Sequence, residues 1–498
     1  MKNKFYITSA IAYTNGPPHI GHAFEFVLTD ALARYHRLLK YDTRFLTGTD
    51  EHGSSVAKAA AKEGVDPQLF VDRIAAEFQQ LNKVLNISND DFIRTSDKER
   101  HWPTAIKLWN ILAEKGDIYK KKYEGLYCVG HEAFIKKSEL VDGLCPLHKT
   151  PPDVVEEENW FFKISNYKDE IAKRIENDEL QILPETRKKE ILNLIKDAED
   201  VSFSRPSSTL TWGIPVPNDP TQTMYVWVDA LSNYISALGY ASDDEKFKKF
   251  WPADVHLIGK DILRFHALIW PAILLSADIE LPKAIYVHGF INVDGQKMSK
   301  TIGNVVDPFK VVEKYDADVV RYFLLREIPS DDDGDFSEKR LVERYNGDLA
   351  NGLGNLVARV ATLIENNLPD GLTYDSKHVE SATKETIERI HQLFTAGIEN
   401  FRLHESLAAI WELIAYADKY VNDNKPWALI KEDKDKFLTV MTNLVALIHE
   451  ITKALAPFMP ETAEKVSGVF DFKKEEGGLE DRLLKVQKGP VLFPRLEN

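Results

Sequence analysis

Between residues 4 and 50 the chain alternates in a way that few folds accommodate. Lys4–Thr8 reads as a short strand, Asn15-Gly16-Pro17-Pro18 as a turn, and Phe24, Val27, Leu28, Ala31, Leu32 and Tyr35 fall on one helical face. Arg44–Leu46 reads as a second strand, ending at Thr47-Gly48-Thr49-Asp50. Strand, turn, helix, strand is a βαβ unit, whose strands lie parallel in one sheet. Strands are expected again at Met224–Val228, Val255–Ile258 and Ala284–Val287, with a helical run over Ile262–Leu275. In between, from about Gly116 to Pro220, charged and turn residues dominate and no long periodic stripe precedes Tyr167–Glu176, so this stretch reads as an inserted module.

After about Asp331 strand signals fade. Leu341–Asn366, Lys384–Asn400, Ser406–Asn422 and Lys434–Leu455 carry helical spacing and predict an antiparallel bundle. The run Asp331-Asp332-Asp333-Gly334-Asp335 lacks the spacing and distal Glu of a calcium loop and reads as a solvated linker. A chain of 498 residues is too long for one core. The expected organisation is an α/β nucleotide-binding domain over 1–115, an insertion over 116–220, the second half of the α/β domain over 221–330, and a linker with a helical bundle over 331–498.

Composition excludes several classes. The chain has 63 Lys+Arg against 78 Asp+Glu, a net charge of −15, so any nucleic-acid contact must be made by a local patch. Two cysteines, Cys128 and Cys145, exclude a disulfide-stapled scaffold and point to a reducing, cytoplasmic setting. The longest strongly apolar stretch, near His266–Ala277, is far short of the roughly 20 residues a membrane span needs. The apolar start at Phe5–Tyr13 is broken by Thr8 and Ser9 and does not read as a secretory signal.

Three motifs carry chemistry. Pro18-His19-Ile20-Gly21-His22 sits between a strand and a helix, where helix N–H groups, two imidazoles and a glycine that permits close approach suit a phosphate. Gly295-Gln296-Lys297-Met298-Ser299-Lys300-Thr301 puts two lysines in a Gly/Ser turn, where they can follow a polyphosphate as point charges. Both loops are expected at the carboxyl side of parallel strands, the ligand-binding edge of open α/β sheets. Cys128-x2-His131 and, thirteen residues on, Cys145-x2-His148 have the paired spacing of a zinc knuckle.

These motifs, in this order on this βαβ pattern, resemble the class I aminoacyl-tRNA synthetases. Ala10–Gly16, Thr49-Asp50-Glu51-His52-Gly53, Tyr225–Ala230 and Gly259–Ile262 through Phe265-His266 resemble the methionyl-tRNA synthetase family within that class, and the resemblance runs to Leu492-Phe493-Pro494-Arg495. It implies a Rossmann-like catalytic domain split by a zinc-knuckle insertion and followed by an anticodon-binding bundle. It implies a methionine pocket of Ile11, Tyr13, Asp50, Trp227, Ala230, Tyr234, Ile262 and His266, with Asp50 facing the substrate ammonium. ATP, with Mg²⁺, would be held by His19, Gly21, His22, Lys297, Met298, Ser299 and Lys300. His19, His22, Lys297 and Lys300 would stabilise charge growing on the phosphates, and Lys300 would meet the pyrophosphate. Asn355, Arg359 and Trp427 match the positions that read the tRNA anticodon. Cys128, His131, Cys145 and His148 would hold one structural zinc.

The implied reaction joins methionine to ATP as methionyl-adenylate and then to the terminal adenosine of tRNA, by a cytoplasmic monomer without an obligate protein partner. Three other readings compete. A synthetase for isoleucine, valine or leucine needs a larger editing insertion, and a cysteine enzyme needs thiols in the active site. A non-catalytic tRNA-binding paralogue would not need intact motifs, and a small-metabolite nucleotidyltransferase would not need the bundle. Arg205, near the end of the insertion, either contacts nucleotide or acceptor end, or forms a surface ion pair.

Overall fold

The computed structural model describes residues 3–130, 133–135, 137–146, 149–242, 244–298, 303–472 and 479–497. Its contacts divide the chain into two compact units: residues 1–29 with 36–288, and residues 30–35 with 289–498.

The first unit is built on a seven-stranded sheet of β1 (Lys4–Ser9), β2 (Ala12–Tyr13), β3 (Asp42–Asp50), β4 (Asp91–Arg94), β5 (Gln181–Leu183), β6 (Val255–Gly259) and β7 (Ala284–His288). The order is β2-β3-β1-β6-β7-β5, with β4 also on β3, and every pairing is parallel. Ile7, Phe45, Leu46, Ile93, Leu257, Ile258, Ile285 and Val287 are all fully buried. That burial on both faces explains why these strands read as apolar runs rather than as alternating ones. β1 is followed in the chain by helix α1 (Ile20–Leu38) and then by β3 on one side, while β6 lies on its other side. The strand order therefore reverses at β1, and the crevice at its carboxyl end is where such sheets take ligands.

Two elements differ from the sequence expectation. Met224–Val228 is not a strand. The strand Asp219–Met224 pairs with Ser204–Pro206 and ends, Tyr225 N–H donates to Phe203 O at 2.8 Å, and Val226–Leu231 is a helix. Apart from the partly buried Trp227 the run is buried, so its apolar pattern fits either element. Ile262–Leu275 is broken into a 3₁₀ turn (Lys260–Ile262), a π-helical stretch (Phe265–Ile269) and an α-helix (Trp270–Ser276). Pro271 has no N–H to give to the turn before it, and the ladder there is widened.

The stretch from residue 116 is stranded rather than irregular. Ile118–Cys128 pairs antiparallel with Asp153–Phe162, flanked by Ala133–Ile135 and Val201–Ser202. Midway along this hairpin Lys122 faces Glu158 and Lys121 faces Asn159. Cross-strand polar pairing replaces the apolar alternation that would have announced it.

In the second unit, Ser381–Glu399, Leu403–Asn424 and Lys434–Leu455 pack against one another as helices. Lys434–Leu455 is long and apolar enough to cross a membrane, but 67% of its apolar window is buried inside the protein. It is the core helix of the bundle. The run Leu341–Asn366 divides into Glu338–Arg344, a π-helical Tyr345–Gly354 and Asn355–Asn367; Gly347, Gly352 and Gly354 lie in the widened part. The acidic run is not a linker. Gly334–Phe336 pairs parallel with Ile291–Val293, Asp333 Oδ1 accepts from Phe290 N–H at 2.9 Å, and Asp335 Oδ1 accepts from Gly295 N–H at 2.7 Å. A Cβ on Gly334 would stand 2.4 Å from Ile328 Cγ2, so only glycine fits this approach.

Candidate active site

The two histidines of the first motif cap α1. His19 is the residue before the helix, and its C=O accepts from His22 N–H at 3.0 Å and Ala23 N–H at 3.2 Å. His19 Nδ1 accepts from Gly21 N–H, and His22 Nδ1 accepts from His19 N–H, both at 3.2 Å. This is the reciprocal geometry of a capping box, with imidazoles in place of the usual hydroxyl and carboxylate. Nδ1 acts as acceptor in each ring, so the proton of the neutral ring sits on Nε2. The rings stack 3.8 Å apart, and His22 meets the edge of Phe78. Capping and ligand binding are thus compatible: the cap fixes the rings, and the Nε2–H groups are donors at the positive end of a helix dipole. The Gly21 N–H is spent inside the cap.

The residues that the resemblance assigns to a methionine pocket converge on the carboxyl ends of three strands. Ile11 and Tyr13 follow β1, Asp50 ends β3, and Ile262 and His266 follow β6. Ile11, Tyr13, Trp227 and Ile262 are partly buried against the one core cluster that also contains Tyr234. Asp50 is buried, and its backbone carbonyl accepts from Thr14 N–H and Thr14 Oγ1, each at 3.0 Å. Trp227 stacks on Phe265 at 3.6 Å. Ala230 is buried on the same helix.

Beneath these lies a neutral polar chain. Burial pushes His266 down to about 4, so the ring is uncharged. Its Nδ1 lies 3.0 Å from Ile262 O, which makes that nitrogen the donor, and Nε2 therefore accepts from Tyr234 O–H at 2.7 Å. Burial likewise pushes the Tyr234 phenol up and the adjacent His256 imidazole well down. The stacked rings of Trp227 and Phe265 and an uncharged phenol–imidazole pair are surroundings that suit a soft, apolar thioether.

Around this pocket are charged networks whose members carried no role in the sequence reading. Glu51 is fully buried and accepts from Arg94 Nε at 2.7 Å and Nη2 at 2.9 Å, from Thr49 Oγ1 at 2.6 Å, and from Ser96 Oγ. Glu25 of α1 accepts from Ala10 N–H at 2.7 Å and meets His288 Nε2 at 3.0 Å. Asp229 lies between His52 and His101. Glu51, His52 and Asp229 stand inside the quoted motifs, and that placement was the available signal.

The lysine loop lies in the second unit. Gln296–Lys297 pairs antiparallel with Ile291–Val293 in a separate three-stranded sheet, so the loop follows a strand that pairs parallel with Gly334–Phe336 and not a strand of the seven-stranded sheet. Lys297 is exposed, stands over the Phe290 ring at 5.7 Å, and its carbonyl accepts from Asn304 Nδ2 at 3.2 Å. Met298 is half-buried; Ser299 and Lys300 lie outside the described residues. Asn355 and Arg359 share one face of helix Asn355–Asn367, and Arg359 Nη2 donates to Asn422 Oδ1 at 3.0 Å. Trp427, second residue of helix Pro426–Glu432, is 50% exposed, unusual for a tryptophan and unlike the packing role a Pro-Trp pair usually has.

Cys128 and Cys145 are buried in one small cluster with Ile135, and the second turn is closed by Lys149 N–H to Cys145 O and Cys145 N–H to Thr150 O. His131 and His148 lie outside the described residues. Arg205 is neither a surface residue nor open to a ligand. It is 4% exposed, its Nε and Nη2 each donate to Glu157 at 2.6 Å, and its guanidinium covers Tyr127 at 4.0 Å. The ion pair expected as one alternative is present, but buried and not at the surface.

Comparison with known proteins gives the family. Residues 5–151 and 135–361 match the family model "tRNA synthetases class I (M)", and residues 377–483 match "Anticodon-binding domain of tRNA ligase". The methionine–tRNA ligase of Caldanaerobacter subterraneus subsp. tengcongensis is 44% identical over 511 residues, spanning 100% of this chain and 80% of that protein. The chain belongs to the methionine–tRNA ligase family. The ligase of Brucella suis is 42% identical, over 99% of this chain and 96% of its own length. Among solved structures, Mycobacterium tuberculosis methionyl-tRNA synthetase in complex with methionyl-adenylate superposes with a TM-score of 0.93 at 40% identity, over 99% of this chain and 100% of that one. Membership in the methionine–tRNA ligase family sets aside the isoleucine, valine, leucine and cysteine alternatives and the small-metabolite nucleotidyltransferase.

Proposed function

We propose that the crevice at the carboxyl ends of β1, β3 and β6 binds methionine and presents its carboxylate to ATP. The chain is a methionine–tRNA ligase by family: the carboxylate attacks the α-phosphorus of ATP, pyrophosphate leaves, and the methionyl group then passes to the terminal adenosine of tRNA with release of AMP. No side-chain nucleophile is needed, so catalysis rests on positioning and on stabilising phosphate charge. The observation that carries the substrate reading is the uncharged Tyr234–His266 pair together with the stacked Trp227 and Phe265 rings, and the buried Asp50 at a strand end of the same sheet. Asp50 would receive the ammonium group. His19, Gly21, His22, Lys297, Met298, Ser299 and Lys300 would hold ATP, with Mg²⁺ carried on the nucleotide. ATP–pyrophosphate exchange, run with each of the twenty amino acids and no tRNA, tests this: exchange with methionine alone is expected, and exchange driven by another amino acid would overturn the pocket.

Asn355, Arg359 and Trp427 would read the anticodon, Trp427 by stacking on an unpaired base. Base stacking on an aromatic residue contributes about 1–3 kcal/mol, so Trp427→Ala is expected to lower tRNA charging efficiency by roughly 10- to 100-fold. Methionine-dependent exchange should be unchanged, and a matching loss of exchange would remove the anticodon role.

Two buried cysteines in one cluster suit zinc. With His131 and His148 they would complete a closed set of ligands that holds the tip of the inserted hairpin. Metal analysis of purified protein is expected to give about one zinc per chain, and Cys128→Ser should abolish it. A cytoplasmic, monomeric state belongs to the same reading; the bacterial family members and the sparse cysteines favour the former.

A further inference from the structure

A buried carboxylate with no place in the mechanism stands next to the amino-acid pocket. Asp229 Oδ2 lies 2.5 Å from His52 Nδ1 and Asp229 Oδ1 lies 2.7 Å from His101 Nε2. All three side chains are at most 2% exposed. His101 precedes helix Trp102–Glu114, and its Nδ1 lies 2.9 Å from Ser236 Oγ. One carboxylate therefore joins four segments: Thr49–Gly53, His101, helix Val226–Leu231 and helix Asn233–Ser236.

Three of these segments carry pocket residues. Asp50 is two positions before His52, Trp227 and Ala230 flank Asp229, and Tyr234 lies on the helix of Ser236. A carboxylate is an acceptor only, so each imidazole must turn an N–H toward it, which fixes both rings in orientation and tautomer. The His52 ring is then wedged between the edges of Trp102, at 6.0 Å, and Trp212, at 5.3 Å. Trp212 also anchors the backbone on either side of His52: its Nε1 donates to Glu51 O at 2.6 Å and its carbonyl accepts from Gly53 N–H at 3.3 Å. The segment bearing Asp50 is thus held at its backbone by one neighbour, and joined to the helix of Trp227 through the Asp229–His52 contact. Burial alone would push the Asp229 carboxyl up. The two facing imidazoles outweigh it and hold the group below the usual carboxylate range, so it stays charged.

We propose that Asp229 is the positioning residue of the amino-acid site: by clamping His52 and His101 it fixes the distance between the Asp50 carboxylate and the Trp227–Ala230 wall, and so sets methionine affinity without touching the substrate. This rests on the reading that Asp50 and that wall bind methionine.

The test is ATP–pyrophosphate exchange by the full-length chain. Asp229→Asn keeps the size and one acceptor but loses the second. It is expected to raise the KM for methionine about 10- to 100-fold, the penalty of misplacing a binding group by about 1 Å, while kcat and the KM for ATP stay near wild type. His52→Ala should do the same. His52→Asn, whose amide N–H can stand where Nδ1–H stood, should restore the methionine KM, and this pair keeps the test alive if Asp229→Asn does not fold. An unchanged methionine KM in Asp229→Asn or His52→Ala would overturn the proposal. So would a fall in kcat with parallel rises in both KM values and a lowered melting temperature, the pattern of a fold support. Asp50→Asn, run alongside, separates the two levels: a normal methionine KM there would overturn the pocket reading itself, whatever Asp229 does.

Discussion

His22→Ala is expected to lower kcat for methionine-dependent exchange by about 10²–10³-fold, with the methionine KM nearly unchanged. The reason is that His22 Nε2–H is a preorganised donor at the start of α1, fixed by the acceptance of His19 N–H at Nδ1. In the proposed reaction its worth would lie in the phosphate charge that grows during attack, not in the amino-acid complex. The same substitution breaks the reciprocal cap, at a cost of about 1 kcal/mol in stability. The two effects separate in His22→Gln, whose carboxamide oxygen can still accept from His19 N–H. That variant should regain the melting temperature of the wild type and remain slow. Full recovery of rate in His22→Gln would show that the cap, not the imidazole donor, is what the reaction needs.

The second large effect is structural. Arg205→Ala strands Glu157, whose side chain is only 7% exposed, and removes the guanidinium from the face of Tyr127. Breaking a buried ion pair by deleting one partner costs about 3–5 kcal/mol. In a chain of two units the loss need not appear in a single melting transition. It should appear as faster hydrogen exchange and proteolysis across Ile118–Phe162, the hairpin that Glu157 belongs to, with the KM for ATP unchanged. A raised KM for ATP with an intact hairpin would return Arg205 to the nucleotide. Replacing both partners together, Arg205→Met with Glu157→Leu, should recover most of the stability, since two apolar groups of similar volume leave no charge behind.

What the sequence made legible followed from periodicity and chemistry close together in the chain. Lys4–Thr8, Val255–Ile258 and Ala284–Val287 are strands within a residue or so, and Lys434–Leu455 is a helix with those bounds. Each is a buried run of one element type. The inserted hairpin escaped because charged residues interrupt its middle, and Met224–Val228 misled because so short a helix, buried apart from Trp227, shows no clear period. The placement of His19 and His22 at a strand-to-helix turn was readable; their mutual cap was not, since it depends on which ring nitrogen faces which N–H. The Asp229 clamp was beyond reach for a different reason. Its partners stand 177 and 128 residues away in the chain, and no local pattern encodes a contact across that span.

The short strand β5 has a consequence for how this chain can change over generations. Gln181–Leu183 pairs with β7, forming the last rung of the parallel sheet, and the helices before and after it bury Ile171, Ile175, Ile191 and Ile195 in the same core as β1 and β6. In the hairpin that precedes it, the second strand is buried toward its base at Asn159–Phe162 and Val154 near its tip is 72% exposed, while the first strand is buried at Ile118 and again at Tyr127–Cys128. Changes tolerated by selection should therefore gather on the second strand around Val154, and not at Tyr127–Cys128 of the first. The residues around β5 are a keel: a lineage that discarded them along with the hairpin would open the flank of the sheet and lose the floor on which the crevice stands.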